Sequence, residues 1–348
     1  MIAPARSGPD LILHGGRVHT VDADDHTAEA VAIRGRHILA VGSSKTIRAL
    51  ADPATRIVDL GGLTVIPGFV DGHPHMDGVG MRVLRPSFDG AKSVEDIQAV
   101  VGAEAARRPA GEWLIFNPIA DAPEAFGYPE RLREGRWPSR ADLDAVAPGH
   151  PVLIRAPMMV APGVAVASSR ALELARIGTD TRAPEGVEIE RDERGEPTGR
   201  LRELNFPPVI ERALFPMLPP PSHADWVRAV RAGARAFNAA GVTAIYEGHG
   251  IPAAPQQAYL DLWEQRELTV RTYFVIAYPV PLYRDPVAGE ALIRATAPYA
   301  AGRGFGDDTL RFGGLGFSFD SATAIGASRM REPYVGARGH AWTGIQHA

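Results

Sequence analysis

At Pro67 the texture of the chain changes, and the change restricts what it can fold into. Residues before it form short apolar runs stopped by turn signals: Asp10-Leu11-Ile12-Leu13-His14-Gly15-Gly16, then Ala30–Ile33 joined through Arg34-Gly35-Arg36 to His37–Gly42, then Arg56–Leu60 and Leu63–Pro67. This pattern predicts a small antiparallel β unit over residues 1–67, too small to stand alone. From Gly68 onward, over residues 68–348, strands alternate with helices, the pattern of a parallel α/β sheet or barrel. The expected strands are Gly68–Asp71, Trp113–Phe116, Pro151–Arg155, Val242–Tyr246, Thr269–Ile276 and Leu310–Gly314. Helices are expected from Ser93 to about Arg107, Ser168 to Ile177, Ser222 to Gly241, Ala254 to Glu267 and Pro286 to Ala297. Val187–Glu190 and Gly199–Leu201 flank an Asp192–Gly195 turn and predict a hairpin insertion at about residues 178–221. A closed eight-stranded barrel needs eight such units, so the expectation is a barrel cut short. Unclosed, it would expose strand edges and associate into homo-oligomers.

Composition narrows the chemistry. The 37 Lys+Arg and 41 Asp+Glu leave a net charge of −4, which is no basis for a nucleic-acid binder. There are no cysteines, so disulfides, thiolate nucleophiles and Cys-based metal sites are excluded. Any metal must be held by His, Asp, Glu or a modified side chain. No secretory-type apolar run precedes Asp10 and no stretch is long and apolar enough to span a membrane, so a soluble, cytoplasmic chain is expected.

The strongest chemical signal is Pro67-Gly68-Phe69-Val70-Asp71-Gly72-His73-Pro74-His75. In an extended segment side chains alternate faces, so His73 and His75 are expected to point the same way at the end of an apolar strand. Two imidazoles so placed can reach one divalent cation at about 2.0–2.1 Å. Asp71 is expected to orient a ligand histidine rather than to bind metal. Glu247 and His249, at the end of the Val242–Tyr246 strand, are expected on one face by the same alternation. Glu247 is a candidate catalytic carboxylate and His249 a further metal ligand. Asp320 ends the last strand and is a second catalytic candidate.

With the N-terminal Asp10–Val18 run, the His73/His75 motif, Gly195-Glu196-Pro197-Thr198-Gly199, Leu143–Pro148 with Pro151–Leu153, Gly241-Val242-Thr243-Ala244 and Glu332-Pro333-Tyr334, the sequence resembles amidohydrolase family 3, the YtcJ-like branch of the amidohydrolase superfamily. The resemblance implies a metal-dependent (β/α)8 TIM-type barrel, here incomplete, preceded by the N-terminal part of a composite β-sandwich. It implies hydrolysis of non-peptide carbon–nitrogen bonds in a small amide-type substrate such as an amide, formamide or cyclic amide. The His73/His75 pair maps onto the family's metal-binding pair, with a divalent ion, Zn2+ expected. The family's lysine falls at or near Gly316, whereas the two lysines present are Lys45 and Lys92. The later histidines and the final aspartate of the family would lie beyond residue 348. The alternative reading is therefore a catalytically inactive fragment without a complete metal centre.

Other groups attract no function. Gly302–Asp307 precedes a strand, not a helix, and makes no phosphate cradle. His14, His19, His26 and His37 are expected to be structural or exposed, and His150 and His223 solvated. The arginine-rich Arg131–Arg140 segment is expected to be a solvated loop, and His340 and His347 to lie near a frayed end.

Overall fold

The computed structural model describes residues 8–119, 132–157, 163–203, 209–278, 282, 285–300, 302, 304–317, 319, 320, 323, 328–334, 343 and 344. The chain divides into two compact units, Met1–Phe69 and Val70–Ala348. His340 and His347 lie outside the described residues.

The first unit holds β1 (Leu11–His14), β2 (Arg17–His19), β3 (Thr27–Ala28), β4 (Ala30–Arg34), β5 (His37–Gly42), α1 (Ser44–Arg48), β6 (Arg56–Asp59) and β7 (Thr64–Val65). They form a four-stranded sheet in the order β5-β4-β1-β6 and a three-stranded sheet in the order β3-β2-β7. The tight β4–β5 turn uses Gly35 at φ +57°, which glycine adopts without strain. Ile12, Ala30, Ala32 and Ile47 make the core. The expected all-antiparallel pairing does not hold: β6 runs parallel to β1 and β7 parallel to β2. The reason is connectivity. Helix α1 intervenes between β5 and β6, and a crossover of that kind returns the chain beside β1 in the same direction.

The division between the units falls inside β8 (Phe69–Asp71). After it come α2 (Met76–Leu84), α3 (Val94–Ala105), β9 (Leu114–Phe116), α4 (Arg140–Asp144), β10 (Val152–Ile154), β11 (Gly163–Ala167), α5 (Ser169–Leu174), β12 (Val187–Arg191), β13 (Pro197–Glu203) and α6 (Val209–Leu214). The remaining elements are α7 (His223–Ala239), β14 (Val242–Ile251), α8 (Ala253–Glu264), β15 (Arg271–Ala277), α9 (Pro286–Ala300), β16 (Phe305–Gly306) and β17 (Leu310–Gly316).

These strands build two sheets, ordered β12-β13-β11-β10-β9 and β16-β17-β15-β14-β8. The six strands expected to follow one another around a barrel are therefore split between them, and among the described residues the parallel strands β14, β15 and β17 lie in an open sheet. The physical cause is β11, which sequence reading missed. Its Gly-Val-Ala-Val-Ala run is buried at every position and pairs antiparallel with β10 on one side and β13 on the other. It draws the 187–203 hairpin into the sheet of β9 and β10, so the hairpin is not free-standing. Strand β10 is buried throughout because both faces are covered. Ile97, Val101 and Leu143 pack with Phe116 and Ile154 on one side, and Leu172 and Phe215 with Leu153 on the other.

The second sheet is backed by α7 and α8, with Val230, Ala234, Tyr259 and Leu262 against Ile245, Phe274 and Leu310. Helix α7 begins with a capping box in which the Ser222 hydroxyl accepts the Asp225 N–H and the Asp225 carboxylate accepts the Ser222 N–H. Helix α2 packs on α7 through glycines. A Cβ on Gly80 would lie 1.7 Å from the Ala229 carbonyl oxygen, and one on Gly233 would lie 2.1 Å from that of Met76. Met76 thus faces Gly233 and Gly80 faces Ala229, so the helices run antiparallel and the end of α2 meets the start of α7.

Two expectations about solvation are corrected. His150 is only 6% exposed, because its Nδ1 lies 3.0 Å from the Glu112 carbonyl oxygen under the Pro151 turn. Within Arg131–Arg140, Leu132 is buried and Trp137 packs on the core, while Arg136 forks onto Asp142 at 2.7 and 3.0 Å. Arg131 itself lies outside the described residues.

Gly80→Ala is expected to destabilise the fold by about 3 kcal/mol, since the helix backbones must part. Gly102→Ala, where a Cβ meets Val146 at an ordinary 3.5 Å inside α3, is expected to stabilise by about 0.5–1 kcal/mol; urea denaturation of both measures the contrast. A second expectation concerns acid. Burial alone would raise the Asp142 pKa, but hydrogen bonds from Arg136 and Ser139 outweigh it and hold the carboxyl at about 2. A depressed carboxylate stabilises above its unfolded pKa and loses that contribution as pH falls through the folded value. The unfolding free energy from urea titrations should therefore fall between pH 4 and pH 2 by an extra ~1–2 kcal/mol, after solvent screening, in the native chain relative to Asp142→Asn.

Candidate metal centre

Strand β8 stops at Asp71 because its own side chain turns the chain: Asp71 Oδ1 accepts the His73 N–H at 3.0 Å. His73 and His75 are therefore not strand residues, which corrects the alternation argument. His73 sits in a bend, and His75 occupies the N-cap position of α2 at φ −129°, ψ 78°, with no side-chain cap of its own. The turn nonetheless brings the rings together, edge to face with centroids 5.8 Å apart. His73 is exposed and His75 half-buried. The bond seen from Asp71 fixes the backbone that presents His73.

Behind His75 lies Glu247, 2% exposed. Its Oε1 accepts the Met76 N–H at 2.7 Å and the Tyr259 O–H at 3.4 Å, and its Oε2 lies 3.3 Å from His75 Nδ1. The Met76 N–H is one of the unsatisfied donors at the start of α2, so a strand-borne carboxylate caps the helix that the sequence leaves uncapped. The hydrogen bond to Glu247 raises the His75 pKa, against the opposing effect of burial. Burial and the Glu247 charge push the Asp77 carboxyl up to about 6, and burial carries the Tyr259 phenol well above its ordinary range.

The other candidates are placed differently. The register of β14 against β15 shifts between Glu247 and Ile251, which interrupts the alternation expected to align Glu247 with His249. The side chain of His249 lies outside the described residues. Asp320 accepts the Arg329 N–H through Oδ2 at 3.0 Å. Gly316 ends β17, Lys45 lies in α1, and Lys92 precedes α3. Among the described residues no three His, Asp or Glu side chains converge on one point as a closed ion site. Two side chains of the donor type such an ion takes, His73 and His75, adjoin each other there. With Nδ1 of His75 turned to a carboxylate, Nε2 is the nitrogen left to meet a cation. Sequence reading missed Asp77 and Tyr259; a carboxylate in the first turn after the motif was visible, but its burial was not.

The sequence profile of the amidohydrolase family matches residues 56–347. The chain belongs to the amidohydrolase family. Among its relatives, N-substituted formamide deformylase of Arthrobacter pascens is 33% identical over 199 residues, covering 56% of this chain and 34% of that protein. The amidohydrolase YtcJ of Bacillus subtilis is 31% identical over 191 residues, covering 55% and 34%. The match spans about a third of the length of each. The fold is shared with a metal-dependent hydrolase of Pyrococcus furiosus, at TM-score 0.65 and 21% identity over 97% of this chain and 61% of that one. Among the described residues no helix is long and apolar enough to cross a membrane.

Glu247→Ala strands three buried or half-buried donors and is expected to cost about 3 kcal/mol in denaturant unfolding. Glu247→Gln keeps the volume and one acceptor and should cost less. In either variant the His75 imidazole pKa, followed by NMR, should fall towards the ordinary histidine value.

Proposed function

We propose that this amidohydrolase chain supplies the metal-binding front of a YtcJ-like enzyme that hydrolyses non-peptide carbon–nitrogen bonds in a small amide, formamide or cyclic amide. The observation that carries this reading is the paired presentation of His73 and His75, with His75 backed by the buried Glu247 carboxylate. In this reading β8, β14, β15 and β17 are strands of a (β/α)8 barrel. Unit one is the N-terminal part of a composite β-sandwich.

His73 and His75 would hold a divalent cation, zinc by expectation, through ring nitrogens. Such an ion supplies a Lewis acid for the substrate carbonyl and a water of lowered pKa. Asp71 holds the turn that presents His73. Glu247 positions His75 by fixing which ring nitrogen faces outward, so its role in this proposal is positioning rather than proton transfer. His249 is the proposed third donor, and Asp320 the proposed proton carrier on the carboxyl side of β17. A second reading, an inactive relative, is favoured by one observation: Gly316 stands where the resemblance places the lysine.

Elemental analysis of the purified chain after equilibration with zinc tests the proposal. Near-stoichiometric metal that is lost in His73→Ala/His75→Ala is expected, together with metal-dependent turnover in a panel of amides and formamides. A chain that holds no metal overturns the catalytic reading. A loaded chain without turnover favours the inactive one.

A further inference from the structure

At the far end of α2, about 15 Å from His75 for a nine-residue helix, stands a second constellation that the metal reading does not use. Asn117 and Arg155 directly follow the parallel strands β9 and β10, and ligands of α/β sheets bind outside such carboxyl ends. The buried Asn117 amide donates to the carbonyls of Arg82 and Arg85 at 2.8 and 3.2 Å, and its backbone N–H donates to the Pro86 carbonyl at 3.2 Å. The backbone that carries Arg85 is thus pinned at three points.

Three charged groups act on the half-buried Arg85 guanidinium: Arg155 after β10, Glu211 on α6 and Asp225 on α7. Each acid is already engaged. Glu211 accepts from Arg155 Nε at 2.5 Å. Asp225 accepts from the Ser222 N–H, the Ser222 hydroxyl and Arg228. The Arg85 guanidinium itself makes no hydrogen bond or ion pair among the described residues. Burial, with the Arg155 charge adding, lowers its pKa to about 10, still far above neutrality. A desolvated, permanently charged fork on a fixed backbone is matched by an oxyanion that can take two parallel N–H bonds.

We propose that Arg85 and Arg155 form an oxyanion subsite at the carboxyl ends of β9 and β10, taking the carboxylate or phosphate group of a small molecule. The subsite is independent of the metal reading and would stand if that reading failed.

Calorimetric titration of the whole chain with inorganic phosphate and with succinate, at constant ionic strength, tests it. Saturable binding of one anion per chain is expected, weakened at least tenfold in Arg85→Gln and partly kept in Arg85→Lys, which retains the charge and loses the fork. Arg107→Gln, a substitution at an exposed position on another helix end, should leave it unchanged. Circular dichroism melts of each variant separate a lost site from a lost fold. Preference for phosphate assigns a phosphorylated ligand, and preference for succinate a carboxylate one. Absence of saturable binding, equal binding by a folded Arg85→Gln chain, or an equal loss in Arg107→Gln overturns the proposal.

Discussion

A carboxylate in the middle of one strand holds the first turn of a helix that starts 171 residues earlier in the chain, through the bond from Met76 N–H to Glu247. Much of the second unit's organisation follows from that contact. Burying an ionised carboxylate is costly unless donors surround it. Here a helix amide, a phenol and an imidazole do so together. Because these donors come from α2, α8 and the turn after β8, one buried charge ties three segments to β14. The glycine contact between α2 and α7 then fixes the direction in which α2 leaves the knot, and so where its far end delivers Arg85.

In both sheets of this unit, polar groups gather where a strand ends and the chain turns. Parallel strands leave their carboxyl ends on the same edge, and the chain there must turn, which exposes backbone and side chains. In the second sheet the histidine turn follows β8, and Glu247 reaches it from within the neighbouring β14. In the first sheet the parallel pair β9 and β10 ends in Asn117 and Arg155. Helix α2 spans from the histidine turn to the ends of β9 and β10, with His75 at its start and Arg85 just past its end. A rigid nine-residue rod between them means that neither group can shift without moving the other.

Local signals in the sequence were sufficient for local structure. Ser93 and the Ser222–Asp225 pair marked helix starts that the structure reproduces, because a capping side chain bonds within one turn. The Gly35 turn was equally plain. Of the candidate site, the His73/His75 pair was legible, and the structure does bring the two rings together. The parallel pairing of β14, β15 and β17 was also legible from the alternation of strands and helices, whereas several inferences that needed a particular partner distant in sequence failed. Strand β11 consists of small residues and shows no alternation because both its faces are covered, so neither its presence nor its capture of the hairpin could be read. His150 looked solvated because its acceptor is a backbone carbonyl, invisible in the residue types. Gly80 and Gly233 carried no turn signal; their role is the absence of a side chain where two backbones meet.

The two histidines are held by different means, and the difference bears on how they can act. His75 is half-buried, anchored at a helix start and backed by a carboxylate, so its ring orientation is set before any ligand arrives. His73 is exposed, and its backbone is held through the Asp71 turn. A pair in which one imidazole is already oriented orders less of itself on binding a ligand, which lowers the entropic cost. The Glu247 carboxylate that fixes His75 also increases the basicity of its ring, which strengthens donation to a cation and to a proton alike. The same buried charge that stabilises the helix start thus sets the competition at the nitrogen left facing outward, and fold and site chemistry meet in one side chain.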